Sequence, residues 1–182
     1  MKNLALSNID EEIRRLAEGI EEIGPSIHGV TGVALLDALK RQKVGVGPYP
    51  GVSLFEAANR IMSDLVILHG VKWLLETESF PFSEYRVELG HGNVQPFDIQ
   101  AVRGAQSLAG EAFNVAPSFF QGKKSAMLGK LRKDATEKTY RLILVNHDAV
   151  APGYSPKLRP GESFLLVNVG SAACEIFNSP QK

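Results

Sequence analysis

Apolar positions near the start of the chain recur at helical spacing. Ile9, Ile13, Leu16, Ile20 and Ile23, with acids and arginines between them, predict an amphipathic helix over residues 8–23, stopped by Gly24-Pro25. A second short helix is predicted over 33–42, where Leu35, Leu36 and Leu39 are apolar. Residues 44–51 then read as a rigid glycine- and proline-rich connector. Its glycine spacing fits no phosphate-binding loop, and no Lys-Ser/Thr follows. Ser53-Leu54-Phe55-Glu56 is a capping box opening a further helix. Leu54, Ala57, Ala58, Ile61, Leu65 and Leu68 form its apolar stripe, and Gly70 reads as its C-terminal stop. The pattern then turns to strands, at 71–76 and at 85–89, where Tyr85, Val87 and Leu89 share one face. Turns are predicted at 80–83 and 90–93.

Two apolar runs flank Arg103-Gly104-Ala105-Gln106, a tight turn between antiparallel strands. Centring the turn between Gly104 and Ala105 sets Val102 opposite Ser107 and Asp98 opposite Glu111. Opposed residues have Cβ atoms roughly 4.5–5.5 Å apart, and like charges there are destabilising. Two facing carboxylates on otherwise apolar strands point to a divalent cation between them. A slip of one residue would separate them onto opposite faces.

From Gln121 a helix is expected that carries Met127, Leu128 and Leu131 among many cations. Tyr140–Asn146 is a near-continuous apolar run, as in an internal parallel strand. Strand, helix and strand in that order imply a crossover that lays the basic helix over the sheet. A proline-rich loop (151–161), a final apolar strand (163–169) and a short edge piece (175–177) complete the chain. The elements predict an α/β fold, with residues 1–50 a helical N-terminal extension and linker and 51–182 the main domain.

Composition narrows the field. The 182 residues are 44% hydrophobic and 22% charged, with zero formal net charge. Attraction to nucleic acid must therefore come from local patches. A single cysteine, Cys174, excludes a disulfide framework and a multi-cysteine zinc site within one chain. Charge arrives at Asp10–Arg15 before a signal-peptide core can form, and no apolar run approaches the ~20 residues of a membrane span. A cytoplasmic protein with no membrane partner is expected. His28, His69, His91 and His147 are too dispersed for a metal motif, and no Gly-x-Ser-x-Gly elbow is present.

The element order, with Pro96-Phe97-Asp98 followed by Glu111-Ala112-Phe113, resembles the PD-(D/E)XK superfamily of restriction-endonuclease-like nucleases over roughly residues 53–147. The resemblance implies a core of order α-β-β-β-α-β, a mixed sheet flanked by helices. It implies Mg²⁺ (or Mn²⁺) held by Asp98 and Glu111, with Glu56 as the upstream helix glutamate, a residue that capping also explains. The implied activity is that of a magnesium-dependent endodeoxyribonuclease, a hydrolase acting on DNA, and many such enzymes are homodimers.

The departure from the pattern is Phe113, which stands where the family carries a lysine. Three outcomes are compatible with it. Lys123 or Lys124 reaches back from the next helix, water and metal suffice, or activity is weakened or lost. Lys123, Lys124, Lys130, Arg132 and Lys133, followed by Lys138 and Arg141, form a basic cluster against only Asp134 and Glu137. That cluster can meet a phosphate backbone or be a solvated helix face. Gln100 shares the Asp98 face and is a candidate water anchor. A non-catalytic module binding nucleic acid or protein on the same fold is the alternative to the nuclease.

Overall fold

The strand Tyr140–Asn146 lies inside a seven-stranded sheet, paired in parallel on both sides. The computed structural model describes residues 1–90, 92, 95–134 and 139–179. In chain order the elements are β1 (Lys2–Leu4), α1 (Ile9–Glu21), α2 (Ile23–Ile27), α3 (Gly32–Lys40), α4 (Leu54–Glu76), β2 (Tyr85–Val87), β3 (Ile99–Arg103) and β4 (Gln106–Phe113). Then follow α5 (Pro117–Lys133), β5 (Tyr140–Asn146), a single 3₁₀ turn at His147–Ala149, β6 (Glu162–Val167) and β7 (Cys174–Asn178). The strands lie in sequence order. The first four pair antiparallel, β4, β5 and β6 run parallel, and β7 closes the far edge antiparallel to β6. This mixed sheet with helices on both faces is an α/β architecture.

Alternation along β5 explains the layering. Leu142 and Leu144 join the core beneath α4, with Val66, Val71 and Leu74, while Ile143 and Val145 join the core beneath α5, with Phe120, Leu128 and Leu131. All four β5 side chains are fully buried. Each is worth about 1.5–3 kcal/mol relative to exposure. A strand covered on both faces has no polar side, which is why its sequence reads as one apolar run.

Ser53 caps α4 by accepting the Glu56 backbone N–H at 3.2 Å. The reciprocal half of the box is not made, because the Glu56 carboxylate pairs with Arg60. The helix also runs past the expected stop at Gly70, so residues 71–76 are helix and not strand. Val71, Leu74 and Leu75 continue the buried stripe of Val66 and Ile67. Gly70 is there for proximity. A Cβ on it would lie 2.4 Å from Leu144 Cδ2, so the helix backbone rests almost directly on β5.

The N-terminal segment also differs from its reading. Lys2–Leu4 pairs with β2, so the sheet begins inside the stretch read as an extension. Ile9, Ile13 and Leu16 pack into the core shared with α4 and the sheet. Gly24-Pro25 does not end helical structure, since both residues lie inside the short α2, with Pro25 in its first turn where no amide donor is missed. The turn read at 90–93 falls partly outside the described residues.

Candidate functional site

The β3–β4 hairpin has the register expected from its turn. Val102 pairs with Ser107 and Arg103 with Gln106, around a two-residue loop in which Gly104 supplies the required positive φ of 57°. The ladder runs outward to Ile99 opposite Gly110, so the next pair on the same count is Asp98 and Glu111. In the neighbouring ladder Arg86 pairs with Gln100 and Val87 with Ile99, which carries Glu88 abreast of Asp98. The Glu88 N–H donates to the Asp98 carbonyl at 2.8 Å, fixing that alignment. Glu88, Asp98 and Glu111 therefore stand in a row across three adjacent chain segments, on one face of the sheet.

Strand alternation decides which helix they meet. Ala109 and Phe113 flank Glu111 in β4 and belong to the core beneath α5, so the Glu111 side chain points to that helix as well. Pro117 begins α5 where its missing N–H costs nothing. Phe120, Leu128 and Leu131 dock the helix on the sheet. That docking turns Lys123 and Lys130, seven residues and hence two turns apart, toward the carboxylates. Lys130 Nζ lies 2.6 Å from Glu111 Oε1. A small cavity of about 130 Å³ is lined by Glu88, Asp98, Glu111, Lys123 and Lys130, with Ser63 and Ile67 of α4 at its end. A larger, open cavity of about 650 Å³ adjoins it along α5, sharing Lys130 and adding Pro96, Ser125 and Lys133.

The acids are not equivalent. Glu111 is 2% exposed. Burial pushes its carboxyl up to about 7; the Lys130 ammonium pulls against that, and the charge of Asp98 adds to it. Asp98 accepts the Ala112 backbone N–H through Oδ2 at 2.9 Å. Glu88 accepts the Gln95 N–H through Oε2 at 2.8 Å, tying down the chain just before β3. Asp64, buried in α4, accepts the Gly90 N–H at 2.9 Å and the Tyr49 hydroxyl, joining helix, connector and the end of the β2 segment. Gln100 keeps its amide Nε2 buried with no hydrogen-bond partner among the described residues.

The residues predicted for the site divide cleanly. Asp98, Glu111 and Lys123 meet in the cavity. Lys124 does not, because one residue along a helix is a turn of about 100°. Its ammonium lies 3.1 Å from the Tyr154 hydroxyl and over the Phe120 and Tyr154 rings. Glu56 sits exposed in the first turn of α4 beside Arg60. The helix reaches the cavity only at Ser63, about 10 Å farther along its axis. In the basic cluster, Arg132 makes a two-pronged ion pair with buried Glu162 at 2.6 and 2.8 Å, and Arg141 Nε donates to the Leu131 carbonyl. Arg132 is therefore already committed to an acid. Lys130 and Lys133 line the open cavity, and Lys138 lies outside the described residues.

Phe113, which the sequence resemblance aligns with a lysine, is 2% exposed in the core beneath α5. Phe113 stands two residues along β4 on the Glu111 face but brings no charge to it. The cation beside the carboxylates comes instead from Lys130, a residue read from the sequence only as a surface contact for nucleic acid. Its spacing from Lys123 was the available signal. Glu88 was also missed, although Arg86 and Glu88 alternate with Tyr85, Val87 and Leu89, which puts both on the face opposite those apolar residues.

Among the described residues no three or more His, Cys, Asp or Glu side chains are arranged to enclose a metal ion. The hard oxygens of Asp98 and Glu111 suit Mg²⁺, which is commonly held by one or two carboxylates and keeps several waters. In the metal-free protein the Lys130 ammonium is the cation beside Glu111 Oε1. The pair thus fits a largely hydrated ion and not a closed structural site. Among the described residues no helix is long and apolar enough to cross a membrane. Comparison with family models, characterised proteins and solved structures returns no match.

Proposed function

We propose that the chain is a divalent-metal-dependent nuclease of the restriction-endonuclease-like kind, hydrolysing DNA phosphodiester bonds with its lysine relocated from the strand to helix α5. The observation that carries this reading is the meeting of Asp98, Glu111 and Lys130 at one cavity, on the face and in the register that a metal cradle requires. Asp98 and Glu111 would hold Mg²⁺ or Mn²⁺. When bound, the ion supplies charge neutralisation on the scissile phosphate and a lowered pKa for the attacking water.

The chain's own groups do the rest. Ala112 N–H fixes the Asp98 carboxylate from behind, so that its orientation does not depend on the ligand. Lys130 brings a positive charge to the border of both cavities, where it can hydrogen-bond a non-bridging phosphate oxygen or orient water. Lys123 and Lys133, two turns above and one below on the same helix, extend that charge for the flanking phosphates. Hydrolysis then adds water across the P–O bond, leaving a phosphomonoester and a hydroxyl.

A supercoiled-plasmid nicking assay with and without Mn²⁺ tests the reading. Metal-dependent nicking that disappears in Asp98→Asn and Glu111→Gln is the expected result, and equal nicking by either variant rejects the site. That no three acids among the described residues, Glu88 included, are arranged to hold a metal ion together favours one alternative, a nucleic-acid-binding module without catalysis. It predicts salt-sensitive DNA retention and no nicking.

A further inference from the structure

We propose that Lys130 is the resident counter-cation of the Asp98–Glu111 site, and that a divalent ion binds by exchanging with its ammonium. The inference rests on the metal-site reading above and adds to it a step that precedes any chemistry.

Three observations carry it. First, the Lys130 ammonium stands 2.6 Å from Oε1 of a carboxylate that is almost wholly buried, the position an incoming cation must take. Second, Asp98 is aligned beside Glu111 on the same face, so the two acids repel each other wherever both are ionised, and a cation placed between them relieves that repulsion. Third, the Lys130 side chain is 44% exposed and borders the open cavity with Pro96, Ser125 and Lys133. Its flexible stem therefore has somewhere to go when displaced. A divalent ion and an ammonium at contact distance on one carboxylate oxygen repel each other, and burial of the Glu111 side of the pair leaves that repulsion only partly screened. Exchange leaves Lys130 protonated and moves its charge toward the cavity where a phosphate would lie. No bond is made or broken and no proton is released by the lysine.

The test is Mn²⁺ binding to the full chain, without DNA, followed by isothermal titration calorimetry at pH 8. Lys130→Met keeps the stem and removes the charge, and it should bind Mn²⁺ about tenfold more tightly than the wild type, the size of one close charge–charge interaction. Lys130→Gln should tighten binding in the same sense, and Lys130→Arg should restore weak, wild-type-like binding. The Mn²⁺-induced rise in Tm should follow the same order. Equal or weaker binding by both Met and Gln variants overturns the proposal, and so does a lack of Mn²⁺ binding by all four proteins. Nicking is scored separately. Tightened binding with no nicking by the wild type keeps the exchange and removes the nuclease, whereas metal-dependent nicking with unchanged affinities does the reverse.

Discussion

Lys130 of α5 and Glu111 of β4 form an ion pair at 2.6 Å that joins a half-exposed lysine to a buried acid. The pair does not fully offset the cost of burying that acid, since the Glu111 carboxyl is still raised to about 7. A carboxyl with a raised folded-state pKa binds its proton more tightly in the folded than in the unfolded chain. The metal-free protein should therefore lose stability as pH rises from about 4.5 to about 7 and be level above that for this group. The size is on the order of 3 kcal/mol. Urea denaturation of the wild type and Glu111→Gln across that window checks it. The comparison is needed because burial lowers the His69 pKa, which acts in the opposite direction below the usual histidine value. The wild-type-minus-variant difference should decline through the window, and a flat difference rejects the assignment.

Asp98 has two tasks that substitution can separate. Its Oδ2 accepts the Ala112 N–H, and its charge faces Glu111. Asp98→Asn keeps an oxygen acceptor and removes the charge, so apo stability should hold or rise slightly as repulsion is relieved. Asp98→Ala also leaves the Ala112 amide without its partner and should cost about 1 kcal/mol. Metal-dependent nicking should fall at least about 100-fold in both. Thermal melts without metal, run beside the plasmid assay, distinguish the two effects.

How much of this was legible depended on whether a residue's meaning is local. The β3–β4 register followed from Gly104 and the runs around it, because a two-residue turn sets the pairing. Burial of β5 followed from Tyr140–Asn146 being apolar on both faces. Gly70 misled because a glycine that stops a helix and one that lets a helix touch a sheet are the same residue. The difference lies in Leu144, far away in the chain. β1 is only three residues long and has no periodicity to read. Which lysine of a basic helix enters a site depends on the rotation at which Phe120, Leu128 and Leu131 seat it, and that is a tertiary quantity. Hence Lys123 and Lys124 were even candidates in sequence, and Lys130 proved the closest to Glu111.

Gly70 and Gly129 make a paired test of that distinction. Both are interior helix positions, where Gly→Ala is worth up to about 1 kcal/mol in propensity. At Gly129 nothing lies within 4 Å of the added Cβ, so Gly129→Ala should stabilise by about 0.5–1 kcal/mol. At Gly70 the Cβ collides with Leu144, and also comes within 3.3 Å of Leu165. Gly70→Ala should destabilise by about 1–3 kcal/mol as α4 is pushed off the sheet. Urea midpoints of the two variants moving in opposite directions is the expected outcome, and a stabilised Gly70→Ala would show that α4 does not rest on β5.

The basic cluster should separate into binding and structural cations. Lys123 borders the small cavity, and Lys133 borders the open one, so each alanine variant should weaken DNA association across sequences and reduce the salt slope by about one. Lys124, set between Phe120 and Tyr154, should leave the slope unchanged and lower stability by about 1 kcal/mol. Arg132→Ala should be the most damaging to the fold, about 3 kcal/mol, because it strands the buried carboxylate of Glu162. Glu162 is held below the usual carboxylate range against the cost of its burial, chiefly by the Arg132 hydrogen bonds and then by the Arg159 N–H. Salt-titrated fluorescence anisotropy with a labelled duplex, paired with urea melts, reads both quantities on the same four proteins. A slope that changes for Lys124→Ala as much as for Lys123→Ala would place the nucleic acid along a different face of α5.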